Sequence, residues 1–245
     1  MINQNIINDL RIQTALTKEN LQIIACAGSG KTEFISHRIA YIVAEKIARP
    51  ENIVAFTFTE KAAEELKFRI RSKIRGLIGH QPDIGDIYVG TIHSFCYELL
   101  KEFVPEYRAF DVLDESKRFS FISSILQKDK NILSEVQKRF TYITVDEYQD
   151  VNLIQERPIK LLAGKENNIC VVGDDDQSVY QWRGSTVDNI INFKERYPKV
   201  FTHHLPTNFR STDGIIFAGS SEITRKTPMM RAPEMIKHFL LTQCR

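Results

Sequence analysis

Short apolar runs recur along the chain, each closed by polar or glycine-rich residues: LQIIA (21–25), NIVAFTFT (52–59), IYVGTIH (87–93), YITVDE (142–147), NICVVGD (168–174) and VFTHHL (200–205). They are rich in Val and Ile, have the length of strands and do not alternate strictly, the pattern of parallel strands buried on both faces. Between several of them the apolar period lengthens. KTEFISHRIAYIVAEKIA (31–48) sets Phe34, Ile35, Ile39, Ile42, Val43 and Ile47 near 3.6 spacing, and EKAAEELKFRIRSKI (60–74) joins strong helix formers to a mixed charged face. Alternating strand and helix predicts an α/β domain built on a mainly parallel sheet. Residues 114–140 interrupt the alternation with helical patterns and no strand, which marks a small helical insertion. No internal repeat or low-complexity tract is visible, and the tail that starts at Ser220 opens a new section too short for a second core.

Composition narrows the picture only a little. At 245 residues and 42% hydrophobic content the chain holds one large domain or two modest ones. The formal net charge is only +2, so bulk charge does not announce nucleic acid, and any nucleic-acid site must be local. Cys26, Cys96, Cys170 and Cys244 are far apart and form no CxxC pair, which argues against a zinc or iron–sulfur site and for reduced thiols. The opening MINQNIINDLR lacks the basic start and apolar core of a signal peptide, and no apolar run reaches the roughly 18 residues of a membrane span. A cytoplasmic protein is expected.

The chemistry begins at ACAGSGKT, Ala25 to Thr32, which follows a strand and opens a helix. Gly28 and Gly30 let the backbone turn its amides inward, and with the helix N-terminus they make an anion cradle. Lys31 would reach the β- and γ-phosphates of a nucleotide, and the Thr32 hydroxyl would ligate Mg²⁺. A strict GxxxxGK[ST] loop has Gly where this chain has Ala25. YITVDEYQD then brings Asp146 and Glu147 to the end of an apolar strand. Alone, such a pair is an ordinary solvated turn; after a phosphate loop, Asp146 suits the magnesium shell and Glu147 suits polarising the attacking water. ATP and Mg²⁺ are the expected ligands.

Signatures of other phosphate-loop proteins are missing: no NKxD base reader of a GTPase, no LSGGQ of an ABC ATPase, no Arg-rich lid of a small-molecule kinase. Instead ACAGSGKT is followed in order by AFTFTEKAAEEL (55–66), VGTIHSFCYELL (89–100), VDEYQDVNLIQ (145–155), VVGDDDQSVYQWRGS (171–185) and LPTNFRST (205–212). With these segments the chain resembles the UvrD/Rep/PcrA class of superfamily 1 DNA helicases, motors built on two RecA-like domains. The resemblance implies that Ala25, Cys26, Ala27, Gly28, Ser29, Gly30, Lys31 and Thr32 surround ATP, with Lys31 and Glu147 catalytic. It implies that Gln177 senses the γ-phosphate, that Phe209 stacks on adenine and that Arg210 acts as an arginine finger. Thr57, Phe58, Thr91 and His93 would touch single-stranded DNA, with Tyr180 and Trp182 stacking on bases and Arg183 on backbone phosphate. The three aspartates of GDDDQ would hold their loop rather than a metal. A 3′→5′ polarity and a single-stranded or 3′-tailed DNA substrate follow from the resemblance alone.

Several features depart from that pattern. The adenine-reading glutamine has only Gln13 as a candidate, at short spacing, and Glu33 stands where an arginine is usual, placing negative charge near the nucleotide. About fifty residues separate GTIHSF from VDEYQD, so the helical insertion, about 97–140, is expected to be shortened. The expected division is a first RecA-like motor domain over 1–210 and a truncated start of the second over 211–245. A chain so divided is expected to bind Mg·ATP without unwinding DNA alone. It could be a fragment, a split product whose second domain comes from another polypeptide, a standalone nucleotide or single-stranded DNA module, or a helicase remnant.

Overall fold

The computed structural model describes residues 19–26, 28–79, 87–104, 115–174, 188–205 and 207–210. Six strands form one parallel sheet: β1 (Asn20–Ala25), β2 (Ile53–Thr57), β3 (Tyr88–Thr91), β4 (Tyr142–Val145), β5 (Asn168–Gly173) and β6 (Val200–Leu205), in the order β3-β2-β4-β5-β1-β6. The α-helices are α1 (Lys31–Ala44), α2 (Glu60–Ile78), α3 (Ile92–Phe103), α4 (Glu115–Lys128), α5 (Lys130–Arg139), α6 (Leu153–Ala163), α7 (Asp188–Ile191) and α8 (Phe193–Arg196), with short 3-10 turns at Pro50–Asn52 and Tyr148–Asp150. This is the α/β architecture that the alternating pattern predicts.

Side chains of the strands divide between two apolar layers. Leu21, Ile23, Ile53, Ala55, Cys170 and Val172 pack with α1 and α2, through residues such as Phe34, Ile39, Leu66 and Ile70. Val54, Phe56, Ile143, Val145, Ile169 and Val171 pack on the other face with α3, α4, α6 and the α7–α8 region. Burial on both faces is why these strands read as continuous apolar runs. The edge strand β6 differs, with Phe201 and His204 exposed.

Helix starts follow their capping chemistry. Thr59, Thr91 and Asp129 accept hydrogen bonds from amides of the first turns of α2, α3 and α5. Asn152 caps α6 reciprocally with Gln155. The expected helical insertion is present as α4 and α5, which pack against α6 and α3. The apolar run 87–93 ends as a strand at Thr91, because Thr91 turns there to cap α3. All strands point the same way, so the loops leaving their C-terminal ends share one rim of the sheet, where ligands of such folds gather.

Candidate functional site

The loop leaving β1 is closed by the Ser29 amide donating to the Cys26 carbonyl at 3.2 Å, and α1 begins at Lys31 with Phe34 N–H donating to Gly30 O at 2.9 Å. Gly28 and Gly30 have φ of 74° and 90°, the left-handed region where a side chain is strained. Space forbids a side chain at Gly28 as well: a Cβ there would lie 2.5 Å from Asn208 Oδ1 and 2.7 Å from Arg210 Cβ. Phe209 N–H donates to Gly28 O at 3.0 Å, and Arg210 N–H to Asn208 Oδ1 at 2.8 Å. The segment Asn208–Arg210, far away in sequence, is thus laid on the phosphate loop, with the Phe209 ring 65% exposed beside it.

From the end of β4, Asp146 N–H donates to Phe56 O at 2.9 Å, and Asp146 Oδ1 accepts from the Glu147 amide at 2.9 Å. Glu147 adopts φ 49°, a left-handed conformation that costs a non-glycine residue about 1 kcal/mol. What it gains is reach: Glu147 Oε2 lies 3.1 Å from Lys31 Nζ, across the intervening strand β5. The same oxygen accepts from Gln149 Nε2 at 2.8 Å, and Gln149 Oε1 accepts from the Asp174 amide at 3.0 Å. A Cβ on Gly173 would meet Gln149 Oε1 at 2.5 Å, so that glycine makes room for the buried amide. Gln149 therefore links the tip of β4 to the exit of β5, the point at which GDDDQ begins. Motif reasoning did not single out Gln149 or Asn208; the signals were the Gln two positions after Asp-Glu and the Asn before Phe-Arg.

Asp146 and Asp150 are perturbed. Burial, reinforced by the Glu147 charge, pushes the Asp146 carboxyl up to about 7 against the pull of the Glu147 amide and Lys31. Burial and Glu147 likewise push Asp150 up to about 6. Asp150 Oδ1 is buried without a hydrogen-bond partner among the described residues. Glu33 corrects the expectation of a negative charge aimed at the nucleotide. It turns toward α2, pairing with Lys73, with His37 at 3.1 Å and with Arg69 at 3.4 Å. Burial alone would push its carboxyl up, but Lys73, His37 and Arg69 hold it below the usual range.

A cleft of about 780 Å³ opens beside this centre, with Asp146, Glu147 and Asp150 on one side and Thr57, Phe58, Thr91 and His93 on the other. The four residues expected to touch DNA are therefore brought together, and onto the same cavity as the Glu147 carboxylate. Phe58 is half-buried just beyond β2, rather than packed inside the strand. The half-buried His93 ring meets Phe119 edge-on at 4.6 Å between centroids. The two threonines are less free: Thr57 Oγ1 donates to Thr59 O at 3.0 Å, and Thr91 Oγ1 caps α3. Glu60, Asp146, Glu147 and Asp150 all line the cleft, and no described Lys or Arg does.

Behind the cleft, Tyr148 hydroxyl donates to Glu156 Oε1 at 2.8 Å, and Arg196 Nη1 donates to Glu156 Oε2 at 2.6 Å and to Asn189 Oδ1 at 2.8 Å. Asn189 Nδ2 donates to Val151 O at 2.6 Å. The turn that carries Glu147 is thereby fastened to α7 and α8. Gln13, Ala27, Gln177, Tyr180, Trp182 and Arg183 lie outside the described residues, as does 211–245.

The chain matches the UvrD/REP helicase N-terminal domain over residues 8–130 and 106–198. It belongs to that family. The ATP-dependent DNA helicase PcrA of Staphylococcus epidermidis is 34% identical over 284 aligned positions, which take in 84% of this chain and 38% of the relative. PcrA of Bacillus subtilis is 33% identical over 280 positions, 83% of this chain and 37% of the relative. The chain thus spans well under half the length of these relatives. Among solved structures, the Pif1 helicase of Candida albicans aligns over 79% of this chain and 38% of that one, with 16% identity and a TM-score of 0.43. Among the described residues, no helix is long and apolar enough to cross a membrane.

Proposed function

We propose that this chain is the ATP-binding motor domain of a 3′→5′ DNA helicase or translocase, its first RecA-like domain. The observation that carries the proposal is the 3.1 Å contact of Lys31 with Glu147, made where the phosphate loop, the β4 carboxylates and the Asn208–Arg210 segment converge. In this reading Ala25, Cys26, Ala27, Gly28, Ser29 and Gly30 wrap the phosphates, and Lys31 holds the β- and γ-phosphates. Phe209 offers an exposed ring to the base, and Arg210 meets charge developing on the transferred phosphoryl. Glu147 polarises the attacking water and Gln177 senses the γ-phosphate. The residues present suit a magnesium ion: Asp146 is pushed toward neutrality and Asp150 Oδ1 is buried and orphaned, both of which a cation would relieve. Thr32 and Asp146 would hold Mg²⁺, which when bound neutralises phosphate charge.

Single-stranded DNA occupies the other side of the cleft in this proposal, its bases against Phe58 and His93 and against Tyr180 and Trp182. Because the described wall of the cleft around Asp146, Glu147 and Asp150 carries carboxylates and no Lys or Arg, bases rather than phosphates face that part of it, and Arg183 supplies a phosphate contact. The motor domain occupies 1–210, with the insertion about 97–140 reduced. Two facts support the reduction. An alignment of 284 positions that uses 84% of 245 residues leaves more than a quarter of its positions opposite gaps in this chain. The two family matches overlap at 106–130, inside the insertion.

Stepping along DNA needs a second domain that closes on ATP and reopens, so this 245-residue polypeptide by itself is expected to bind and slowly hydrolyse ATP without unwinding. The test is titration with a fluorescent ATP analogue in Mg²⁺, followed by turnover with and without single-stranded DNA and strand displacement on a 3′-tailed duplex. Mg²⁺-dependent binding, abolished by Lys31→Ala, and DNA-stimulated turnover, abolished by Glu147→Gln, are expected. Absence of nucleotide binding would refute the motor reading; unwinding by this chain alone would refute the incomplete-motor reading.

A further inference from the structure

The first residue of α2 is a carboxylate placed where the proposed function brings DNA. Glu60 lines the cleft, and its Oε1 accepts from Ser94 Oγ at 2.6 Å and from Thr91 Oγ1 at 3.1 Å. Thr91 Oγ1 also lies 3.0 Å from Ser94 Oγ and accepts from the Ser94 amide at 3.1 Å, so two hydroxyls and the start of α3 close around one carboxylate oxygen. The strand order puts this cluster at the β3 side of β2, with Asp146 and Glu147 at the β4 side and Phe58 between. Hydroxyls at the N-terminus of a twelve-residue helix are the groups that bind a phosphate oxygen, and here a side-chain oxygen already holds them. The remaining charged groups on the cleft are Asp146, Glu147 and Asp150, with His93 as its one titratable base among the described residues.

We infer that Glu60 is an internal stand-in for a DNA phosphate: its carboxylate occupies Thr91 and Ser94 and sets the affinity and salt dependence of single-stranded DNA binding in the cleft. The inference rests on the proposed function, because it takes the cleft to be the DNA groove. Two effects act in the same direction. DNA must displace the carboxylate from both hydroxyls, and until the side chain swings away it repels the incoming phosphate. Two unit charges about 5 Å apart in water interact by an amount equal to roughly a fourfold change in a binding constant, more where solvent is partly excluded.

The test is fluorescence anisotropy with a labelled short oligothymidylate at low and moderate salt, on the whole chain and on Glu60→Gln, Glu60→Ala and Glu64→Gln. Gln keeps an acceptor for the hydroxyls without the charge, Ala frees them, and Glu64→Gln removes an exposed charge one turn along the same helix. Both Glu60 variants are expected to bind DNA roughly three- to tenfold more tightly at low salt, with the gain shrinking as salt rises, and Glu64→Gln to change affinity less than twofold. Unchanged or weaker binding by Glu60 variants that melt as the parent does would overturn the inference. So would an equal gain from Glu64→Gln, which would mean only bulk charge. If none of the four proteins binds DNA while all bind the ATP analogue, the DNA reading of the cleft falls and this inference with it; if none binds the analogue, the motor reading falls on its own test.

Discussion

Replacing Asp146 by Asn should stabilise this domain at neutral pH in the absence of magnesium, and lose that advantage in acid. Burial and the neighbouring Glu147 charge raise the folded carboxyl to about 7, from 3.8 when unperturbed. Between those values the folded chain holds a proton that the unfolded chain has released, so stability falls as pH rises through the window and the cost is complete only above 7. Three pKa units correspond to a ceiling of about 4 kcal/mol. Asp146 is only partly buried, and solvent discounts that ceiling to on the order of 2 kcal/mol. Asn keeps the carbonyl oxygen that accepts from the Glu147 amide at 2.9 Å, so the turn survives the exchange. For a domain of this size the gain is roughly 4–8 °C in Tm at pH 8. The assay is scanning calorimetry of both proteins in chelator from pH 4.5 to 8, with a magnesium arm at pH 8. The gap should narrow steadily toward pH 4.5, and magnesium should raise the Tm of the parent only. A gap independent of pH, or an Asn variant less stable at pH 8, would refute the electrostatic account of Asp146.

Other outcomes follow from the same geometry. Gln149→Met removes the amide that orients Glu147 and should lower turnover about 10- to 100-fold while leaving the Kd for a fluorescent ATP analogue within about twofold, checked by parallel kinetics and titration. Gly28→Ala, at φ 74° and facing Asn208 Oδ1, should displace the Asn208–Arg210 segment and weaken nucleotide binding at least tenfold, read by the same titration. Glu156→Gln leaves Arg196 without its buried carboxylate and should cost about 3 kcal/mol in urea unfolding, a loss the surface change Glu65→Gln should not approach.

The strands were legible because burial on both faces erases alternation, and β2, buried at every residue, is the clearest instance. The start of α1 was legible because Gly-Lys-Thr is a helix opening as well as a phosphate motif. Helix α6 was harder to see. Pro158 sits inside it and reads as a break, and only the reciprocal cap of Asn152 with Gln155 gives its start away. Candidate residues set by their own motif, such as Lys31 and Glu147, could be named from spacing, and the structure brings these two within 3.1 Å. Residues set by contact across the sheet could not: Gln149 matters because β5 ends beside β4, and Asn208 because β6 delivers it to Gly28. Glu33 was misjudged for the same reason, since its partners Arg69 and Lys73 stand on α2, some forty residues later.

The two ends of the cleft share a device that explains how so acidic a groove can belong to a domain proposed to bind polyanions. At one end Glu147 pairs with Lys31, the cation proposed to hold a phosphate; at the other Glu60 holds the hydroxyls of Thr91 and Ser94. In each case an internal carboxylate satisfies donors that would otherwise be left unpaired, and a polar group without a partner destabilises the fold more than a paired one. The cost is competition, because a ligand phosphate gains only the difference between its own contact and the one it displaces. The two ends differ in how that difference falls. A triphosphate with its magnesium brings several charges to bear on Lys31, and the released Glu147 stays held by Gln149 at a place where it can act on water. A DNA phosphate brings one charge, and the released Glu60 remains beside it as a repulsion. Nucleotide should therefore bind this domain more strongly than DNA does, with Glu60 the residue whose removal most narrows the gap.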